Sequence, residues 1–345
     1  MRPYKRSIYL LDPREYSPEL IAVAFAKTSR SPESFREIAR ELNDDTSARF
    51  HEKWVVGYGH ASVAEHAVLH LAVENVSRLA VETIESNRLA SYTEKSTRYQ
   101  KWEADRYYTP VEILESKFKS IYEETCRKLF QTYEAVQAPT REHAARLHPR
   151  RPEETEEQWD RRIRSRYIDS CRFLLPASSL ANVGITINAR MLEHAISKML
   201  SSPLDEVRSI GSEIRAAALD EVPTLLKYTD ASDYQKDIRS RMEEVSLPAD
   251  PLSDQMVRLL SADPRDEQRV LAAALFEHST QPYMAALDYV AGLDLPSQAK
   301  LAEVLLGKRG RFEAPLRALE HASYMFELVM DQGAYFEFKR HRIMT

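Results

Sequence analysis

The chain has 345 residues, of which 43% are hydrophobic, and this length predicts two domains, or one large one, with an extensive core. Its formal net charge of −5, with charges of both signs interspersed, excludes broad nucleic-acid binding, which needs clustered lysine and arginine. Two cysteines exclude a disulfide framework, and the absence of an apolar run of about 18 residues excludes a membrane span, so we expect a cytoplasmic globular protein without a signal peptide or a membrane partner.

The N-terminal part is predicted to form one short strand and two helices. Residues 7–11 carry the apolar side chains of a strand. Ser17 is a capping residue, and the proline that follows it is suited to the first turn of a helix that runs through Ala26. A second Ser-Pro-Glu sequence at residues 31–33 predicts another helix that ends near Leu42.

A pair of glycines precedes the most informative segment. Gly57 and Gly59 are the only glycines before Gly184, which indicates a backbone that needs positive φ or close approach to a ligand. Residues 67–73 are apolar and predict a buried strand that carries His70.

A helix and a polar loop follow that strand. From Val76 the apolar residues have helical spacing, with Asn75 as the N-cap. The helix is predicted to end at residues 86–88, and residues 91–99 form a loop with hydroxyl groups and a carboxylate. Hydroxyl groups, a carboxylate and two arginines are therefore expected to converge behind one helix.

The middle of the chain is predicted to be mostly helical. Residues 110–147 are amphipathic and predict a packing helix. The densely charged residues 150–166 predict a solvated turn and the start of a helix. Asn188 is suited to cap a helix that begins near Arg190, and His194 lies four residues after that arginine on the same face.

Residues 86–98 resemble a motif of the flavin-dependent thymidylate synthases. The family pattern is Arg-His-Arg-x-x-Ser-x-x-x-x-Ser-x-Arg, preceded by a Glu-His pair, and Glu65-His66 stands at the place of that pair. Ser86 and Asn87 replace the first Arg and His of the pattern. The remaining positions are filled by Arg88, Ser91, Ser96 and Arg98.

A second part of the chain resembles the same family. The family has Ala-Arg-x-x-Leu-Pro and then Asn-x-Arg-x-x-x-His. Residues 171–176 match the first half through Arg172, and residues 188–194 match the second half. Two separated motifs in the right order are more specific than either motif alone.

The resemblance implies a fold and an activity. It implies an α+β fold with a central antiparallel sheet flanked by helices, assembled as a homotetramer with sites between subunits. It further implies an enzyme that holds FAD and methylates dUMP to dTMP, with methylenetetrahydrofolate as the methylene donor and NADPH as the reductant.

The resemblance also implies roles for individual residues. The positions that would bind dUMP are Glu94, Ser96, Arg98 and Arg172, and the two arginines are the predicted catalytic residues. The positions that would bind FAD are Ser62, Arg88, Asn188, Arg190 and His194. The arginine that polarises uracil in the family corresponds to Met199, with Lys198 adjacent.

The C-terminal residues echo the first informative segment. Glu320-His321 matches Glu65-His66, an apolar run follows, and residues 340–342 then read Arg-His-Arg, which is the triplet of the family itself. Upstream, residues 270–280 echo residues 20–29. We therefore predict a tandem duplication.

The predicted duplication has a first copy at residues 1–235 and a partial second copy at residues 236–345. Because the first copy lacks the Arg-His of its triplet, we predict that Arg340, His341 and Arg342 supply flavin contacts to the loop of a neighbouring copy. Two such chains would form what four single-length chains form, so we expect self-association. The alternative for the triplet is a solvated basic helix end.

Simpler roles remain open for several of these residues. Asn188 can be a plain N-cap, and Arg172 can form a surface ion pair. The histidines near Glu65 lack a second carboxylate at ligand spacing, so we expect no metal site. Two functions therefore compete: a flavin-dependent thymidylate synthase, and a catalytically inactive relative that is kept for nucleotide or flavin binding or for oligomer interactions.

Overall fold

The computed structural model describes residues 7–29, 31–96, 99, 102–245, 255–307 and 309–341. It is a mixed structure of helices and sheet. Its two compact units are Met1–Leu247 together with Glu337–Thr345, and Pro248–Phe336. The prediction of two copies, at residues 1–235 and 236–345, remains a prediction. Across the described ranges, no helix combines the length and apolarity that crossing a membrane requires.

Three short helices open the first unit, each at a side-chain cap. Helix α1 is Pro18–Thr28, and the Ser17 hydroxyl accepts from the backbone N–H of Leu20 as predicted. Helices α2, Phe35–Glu41, and α3, Asp44–His51, both begin with a capping box. The second helix therefore starts later than predicted, because Ser34 and not Ser31 makes the cap.

The strand predicted at residues 7–11 is not formed. These residues have no strand partner in the part of the chain that the structure describes, and the side chains of Ile8 and Leu10 are about 90% exposed. An apolar pattern alone does not make a strand, because the backbone groups also need a partner.

The sheet of the first unit is antiparallel and has three strands in the order β1-β3-β2. They are β1, Val68–Ser77, β2, Ala90–Glu94, and β3, Leu180–Asn188. The first of them confirms a strand in the predicted range of residues 67–73, but the strand is not buried as predicted, because alternate side chains, including that of His70, are exposed. Alternate side chains of β3 enter the core because successive residues of a strand face opposite sides.

Helix α4, Arg78–Glu85, follows β1 and begins two residues later than predicted. The register of β1 shifts between Val73 and Val76, and Asn75 lies within this irregularity at φ 58°. Ser77 caps the helix in its place, accepting from the N–H of Ala80 at 3.0 Å. Asn75 therefore belongs to the bulge and not to the helix.

Six further helices of the first unit follow in the described chain. They are α5, Val111–Leu114, α6, Lys119–Leu147, α7, Glu156–Cys171, α8, Ala189–Leu200, α9, Asp205–Leu219, and α10, Asp233–Glu243. The helix predicted at residues 110–147 is formed with an interruption between α5 and α6. The cap of α8 is Asn188 as predicted, with its side chain accepting from the N–H of Met191 at 2.9 Å.

The described part of the second unit contains a two-stranded antiparallel sheet and several helices. Strands β4, Val257–Ser261, and β5, Met325–Leu328, form the sheet. The helices are α11, Asp266–Glu277, α12, Tyr283–Ala291, and α13, Leu295–Leu306, and α14, Gln332–Phe338, comes last.

Both units place a Glu-His pair at the end of a 3₁₀ segment. Ala61–His66 precedes β1, and Arg317–His321 precedes β5. This shared order of elements is consistent with a duplication, which remains a prediction.

Candidate functional site

A cavity lies where β2 ends and the C-terminal residues return to the first unit. We call it the β2 cavity, and its volume is about 390 Å³. The side chains around it are mostly hydroxyls and charged groups: Glu85, Tyr92, Thr93, Glu94, Ser96, Tyr99, Lys339 and Arg340. This space therefore combines four hydroxyls, two cations and two carboxylates, and its hydroxyls and cations are groups that can bind an anion with several oxygens.

A buried ion pair stands behind this cavity. Arg78 Nη1 lies 3.0 Å from Glu94 Oε1, and both side chains are only 4% exposed. Burial raises the pKa of Glu94, while the guanidinium of Arg78 opposes this shift. Burial likewise lowers the pKa of Arg78, against the effect of Glu94. The glutamate predicted to bind substrate is thus fixed by α4.

Two further ion pairs hold the C-terminal residues beside the cavity. Arg172 Nη1 lies 3.0 Å from Glu337 Oε1, and Lys339 Nζ lies 3.3 Å from Glu85 Oε2. Both pairs are largely shielded from solvent. Arg340, which lines the cavity, lies 3.2 Å from the second oxygen of Glu337 through its Nη1.

The structure brings together some of the residues predicted for the nucleotide. Glu94 and Ser96 line the β2 cavity, and Arg172 reaches it through Glu337. Arg340, which was predicted to contact flavin, lines the same cavity. His341 is exposed and does not line the cavity. The predicted residues Arg98 and Arg342 lie outside the described residues.

The positions of the altered triplet cap the end of α4. Ser86 Oγ donates to the carbonyl oxygen of Thr83 at 2.6 Å, and the buried Asn87 donates through Nδ2 to the carbonyl oxygen of Ile84 at 2.9 Å. Arg88 is exposed at the start of the next turn. The two substituted residues therefore satisfy backbone groups that the helix end leaves open.

Lys198 forms a link to this helix end that the sequence did not indicate. Its Nζ donates to Ser86 Oγ at 2.6 Å, and burial lowers the pKa of this lysine. Met199, which holds the place of the family's arginine, is buried in the core. The positive charge next to the position of Met199 is therefore that of Lys198, whose ammonium group contacts the end of α4.

A second cavity lies under α1 and the 3₁₀ segment. We call it the aromatic cavity, and its volume is about 740 Å³. Phe25, Trp54, Ser62, Glu65 and His66 are among the residues around it. The rings of Phe25 and His66 meet edge to face at 5.1 Å. Gly59, which comes just before the 3₁₀ segment, has a φ of 72°. This agrees with the positive φ that was predicted for the backbone near the two glycines.

The residues predicted for flavin lie partly at the aromatic cavity. Ser62 lines it, and Arg190 forms an ion pair with Glu65, which also lines it. Asn188 is engaged as the cap of α8, and His194 is exposed on that helix. Arg190 and the Glu-His pair therefore connect α8 to this cavity.

Several residues of both cavities were not predicted. Lys339 immediately precedes the basic triplet and Glu337 lies two residues before Lys339, so the available signal was this pair of opposite charges. Trp54 precedes the glycine pair by three residues, but a tryptophan at that spacing more often serves the core than a cavity. The sequence did not indicate a role for Arg78, because its partner Glu94 lies on another element, β2.

Comparison with known proteins gives one family for most of the first unit. The family described as Thy1, thymidylate synthase complementing protein, matches residues 11–224. A UPF0159 protein of Chlamydia muridarum (strain MoPn / Nigg) is 29% identical over 325 residues, which cover 88% of this chain and 61% of that protein. The chain thus spans about three fifths of the length of this relative.

A second relative is named for an enzymatic activity. A flavin-dependent thymidylate synthase of Clostridium tetani (strain Massachusetts / E88) is 27% identical over 218 residues, covering 63% of this chain and 84% of that enzyme. Among solved structures, the flavin-dependent thymidylate synthase ThyX of Helicobacter pylori, complexed with FAD and dUMP, superposes with a TM-score of 0.43. It is 16% identical, and the match covers 62% of this chain and 95% of that one.

Proposed function

Because the chain belongs to the Thy1 family of thymidylate synthase complementing proteins, we propose that it is a flavin-dependent enzyme that methylates dUMP to dTMP. The observation that carries this proposal is the β2 cavity, where Ser96, Glu94 and Arg340 line one space. NADPH as reductant and methylenetetrahydrofolate as methylene donor belong to the same proposal.

The β2 cavity would hold the phosphate end of dUMP. A phosphate dianion binds best where arginine forks and hydroxyl donors converge, and Arg340, Ser96 and Thr93 are such groups, with Lys339 as a further cation. Arg98 would add a second guanidinium from the loop, by the spacing of its motif. Glu94, held by Arg78, would be available to accept hydrogen bonds from the nucleotide.

The aromatic cavity has side chains that fit a flat ring of FAD. Its walls combine Phe25, Trp54 and His66 with the hydroxyl of Ser62, and planar cofactor rings bind to aromatic walls with a few polar groups. Arg190 would support this site through Glu65, with Asn188, His194 and Arg88 as further proposed contacts. When bound there, FAD supplies hydride transfer.

The C-terminal triplet would complete the nucleotide site. Arg340 lies at the β2 cavity, where it would supply a positive charge in place of the residues that the first triplet lacks. We include His341 and Arg342 in the proposal as flavin contacts made to a neighbouring copy. The proposal thus places a residue of the predicted second copy against the loop of the first.

One observation favours a second function, a binding protein without methyl transfer. Ser86 and Asn87 are used to cap α4, and Met199 is buried where the family has its uracil-polarising arginine. Lysine is a point charge and does not replace the planar arginine fork. A protein of this kind would bind nucleotide or flavin without turnover.

Purified full-length protein distinguishes the two functions. The enzyme is expected to be yellow, to show a flavin spectrum that dUMP perturbs, and to form dTMP from dUMP, methylenetetrahydrofolate and NADPH. Arg340→Ala should weaken dUMP binding by about 1.5 kcal/mol or more, the scale of a charge-assisted contact. Arg317→Ala, at an exposed ion pair with Glu320, is the control and should leave the affinity unchanged.

A colourless protein that takes up no added FAD would contradict the enzymatic proposal and favour the second function. Unchanged affinity in Arg340→Ala would contradict the role of the triplet, whatever the result for the cofactor.

A further inference from the structure

The guanidinium of Arg172 is already engaged by two carboxylates. Its Nε lies 2.9 Å from Asp169 Oδ1, and its Nη1 lies 3.0 Å from Glu337 Oε1. The arginine side chain is 7% exposed. A phosphate could reach the Nη1 edge of this fork only after Glu337 had moved away.

Glu337 connects this buried arginine to the β2 cavity. Its Oε1 pairs with Arg172, while its Oε2 lies 3.2 Å from Arg340 Nη1. The carboxylate therefore bridges two guanidiniums, one inside the protein and one in the cavity wall. Removing one partner of such a pair leaves a charge that water does not fully compensate.

A second anchor fixes the same segment. Lys339 pairs with Glu85 at 3.3 Å, and both side chains are nearly buried. Glu337 and Lys339 are close to Arg340 in sequence. Their ion pairs with Arg172 and Glu85 therefore restrict the position of the backbone from which the Arg340 side chain extends. A cation held in one place loses less conformational entropy when it binds an anion.

We propose that Arg172 and Glu337 form a latch that positions Arg340 in the β2 cavity, so that Arg172 acts on the nucleotide phosphate through Arg340 and without touching it. Arg172 and Glu337 are then positioning residues, and the tail residue Arg340 is the group in contact with the phosphate. The latch rests on the proposed function, because it takes dUMP as the ligand of this cavity.

Glu337→Gln tests the latch with little change of shape. This change removes the negative charge that joins the two arginines, so Arg340 is no longer held in place. We expect calorimetry to show dUMP binding about tenfold weaker, which is the scale of one lost charge-assisted contact between Arg340 and the phosphate. The double variant Glu337→Gln/Arg340→Ala should bind no more weakly than Arg340→Ala alone, since both changes act on one group. Glu327→Gln changes a residue of β5 that pairs with Arg258 of β4, and this control variant should bind dUMP as the parent does.

Hydrogen exchange adds a readout that needs no nucleotide. In Glu337→Gln the backbone amides of residues 337–341 should exchange faster than in the parent, while those of β3 stay unchanged. This pattern would separate release of the tail from a general loss of stability.

Tighter dUMP binding in Glu337→Gln would overturn the latch, because it would mean that the carboxylate competes with phosphate for Arg172. Parent-like affinity together with parent-like exchange would overturn it as well. A parent protein that binds no dUMP would instead refute the proposed function, and the exchange of residues 337–341 would still decide whether the pair holds the tail.

Discussion

Lys198 lies beside Ser86 in partly buried surroundings, and its charge has a consequence for stability. Burial holds the pKa of this lysine below its usual value of 10.5, and within the described ranges no carboxylate forms an ion pair with it. The folded protein therefore releases this proton more readily than the unfolded chain does. Between the folded pKa and 10.5 the unfolded state binds more protons, so stability rises with pH across this window.

We expect Lys198→Met to remove this rise. Chemical denaturation of parent and variant at several pH values up to the usual lysine pKa measures the difference. Lys119→Met, at an exposed position of α6, is the control and should keep the pH dependence of the parent. An equal slope in Lys198→Met and in the parent would show that burial of this ammonium does not affect folding.

Residue type alone predicted some contacts of the site and not others. The Asn188 cap follows from an asparagine placed directly before a helical pattern. The contact of Lys198 with Ser86 joins residues 112 positions apart, and neither side chain has a type or spacing that requires it. Contacts of this kind depend on how α4 and α8 pack against each other, and residue type and spacing do not predict this packing.

At the scale of elements, α4 and β2 are joined by the pair of Arg78 and Glu94. The two side chains meet at 3.0 Å and are almost completely buried. Removing the carboxylate leaves an arginine in the protein interior with its main opposing charge lost. We expect Glu94→Leu to lower the free energy of unfolding by about 3 kcal/mol.

The double variant Arg78→Met/Glu94→Leu should recover much of this loss, because it removes the stranded charge as well. Denaturant titration of both variants measures the effect. Glu157→Leu, which breaks an exposed pair with Arg161, should cost no more than about 0.5 kcal/mol. A double variant less stable than Glu94→Leu would show that the pair does more than neutralise a buried charge.

Element prediction succeeded where local signals were complete. The strand β1, the helix α1 with its serine cap, and the start of α8 all carry their own pattern or cap. It failed at Asn75, where a bulge shifts the register and moves the cap to Ser77. Such a bulge arises from pairing with β3, and that partner lies more than a hundred residues away.

At the scale of the whole chain, the internal echo identified Arg340 but not its surroundings. The triplet at residues 340–342 is equally compatible with a solvated helix end. The pairing of Glu337 with Arg172 and of Lys339 with Glu85 fixes the residues just before the triplet, and the role of the triplet itself stays a prediction. The partner residues are Glu85 in α4 and Arg172 at the end of α7. They are far from the triplet in sequence, so only the folded structure shows the contacts.

The sheet of the second unit exposes large apolar side chains. Val257, Leu259, Met325 and Phe326 are each more than half exposed on β4 and β5. An isolated pair of strands has little stability in water unless a hydrophobic face is covered, and exposed apolar patches commonly mark association sites. We therefore expect a second copy of the chain to cover this sheet, giving two chains per assembly.

Light scattering of the full-length protein at micromolar concentration should accordingly give the mass of a dimer. Leu259→Lys and Phe326→Glu each place a charge in the apolar patch and should shift the mass towards that of one chain, because a buried charge without a partner opposes association. Ile121→Lys, at an exposed apolar position on α6, should remain dimeric. A monomeric parent would contradict self-association, whereas a dimer that both charged variants keep would mean that another surface joins the copies.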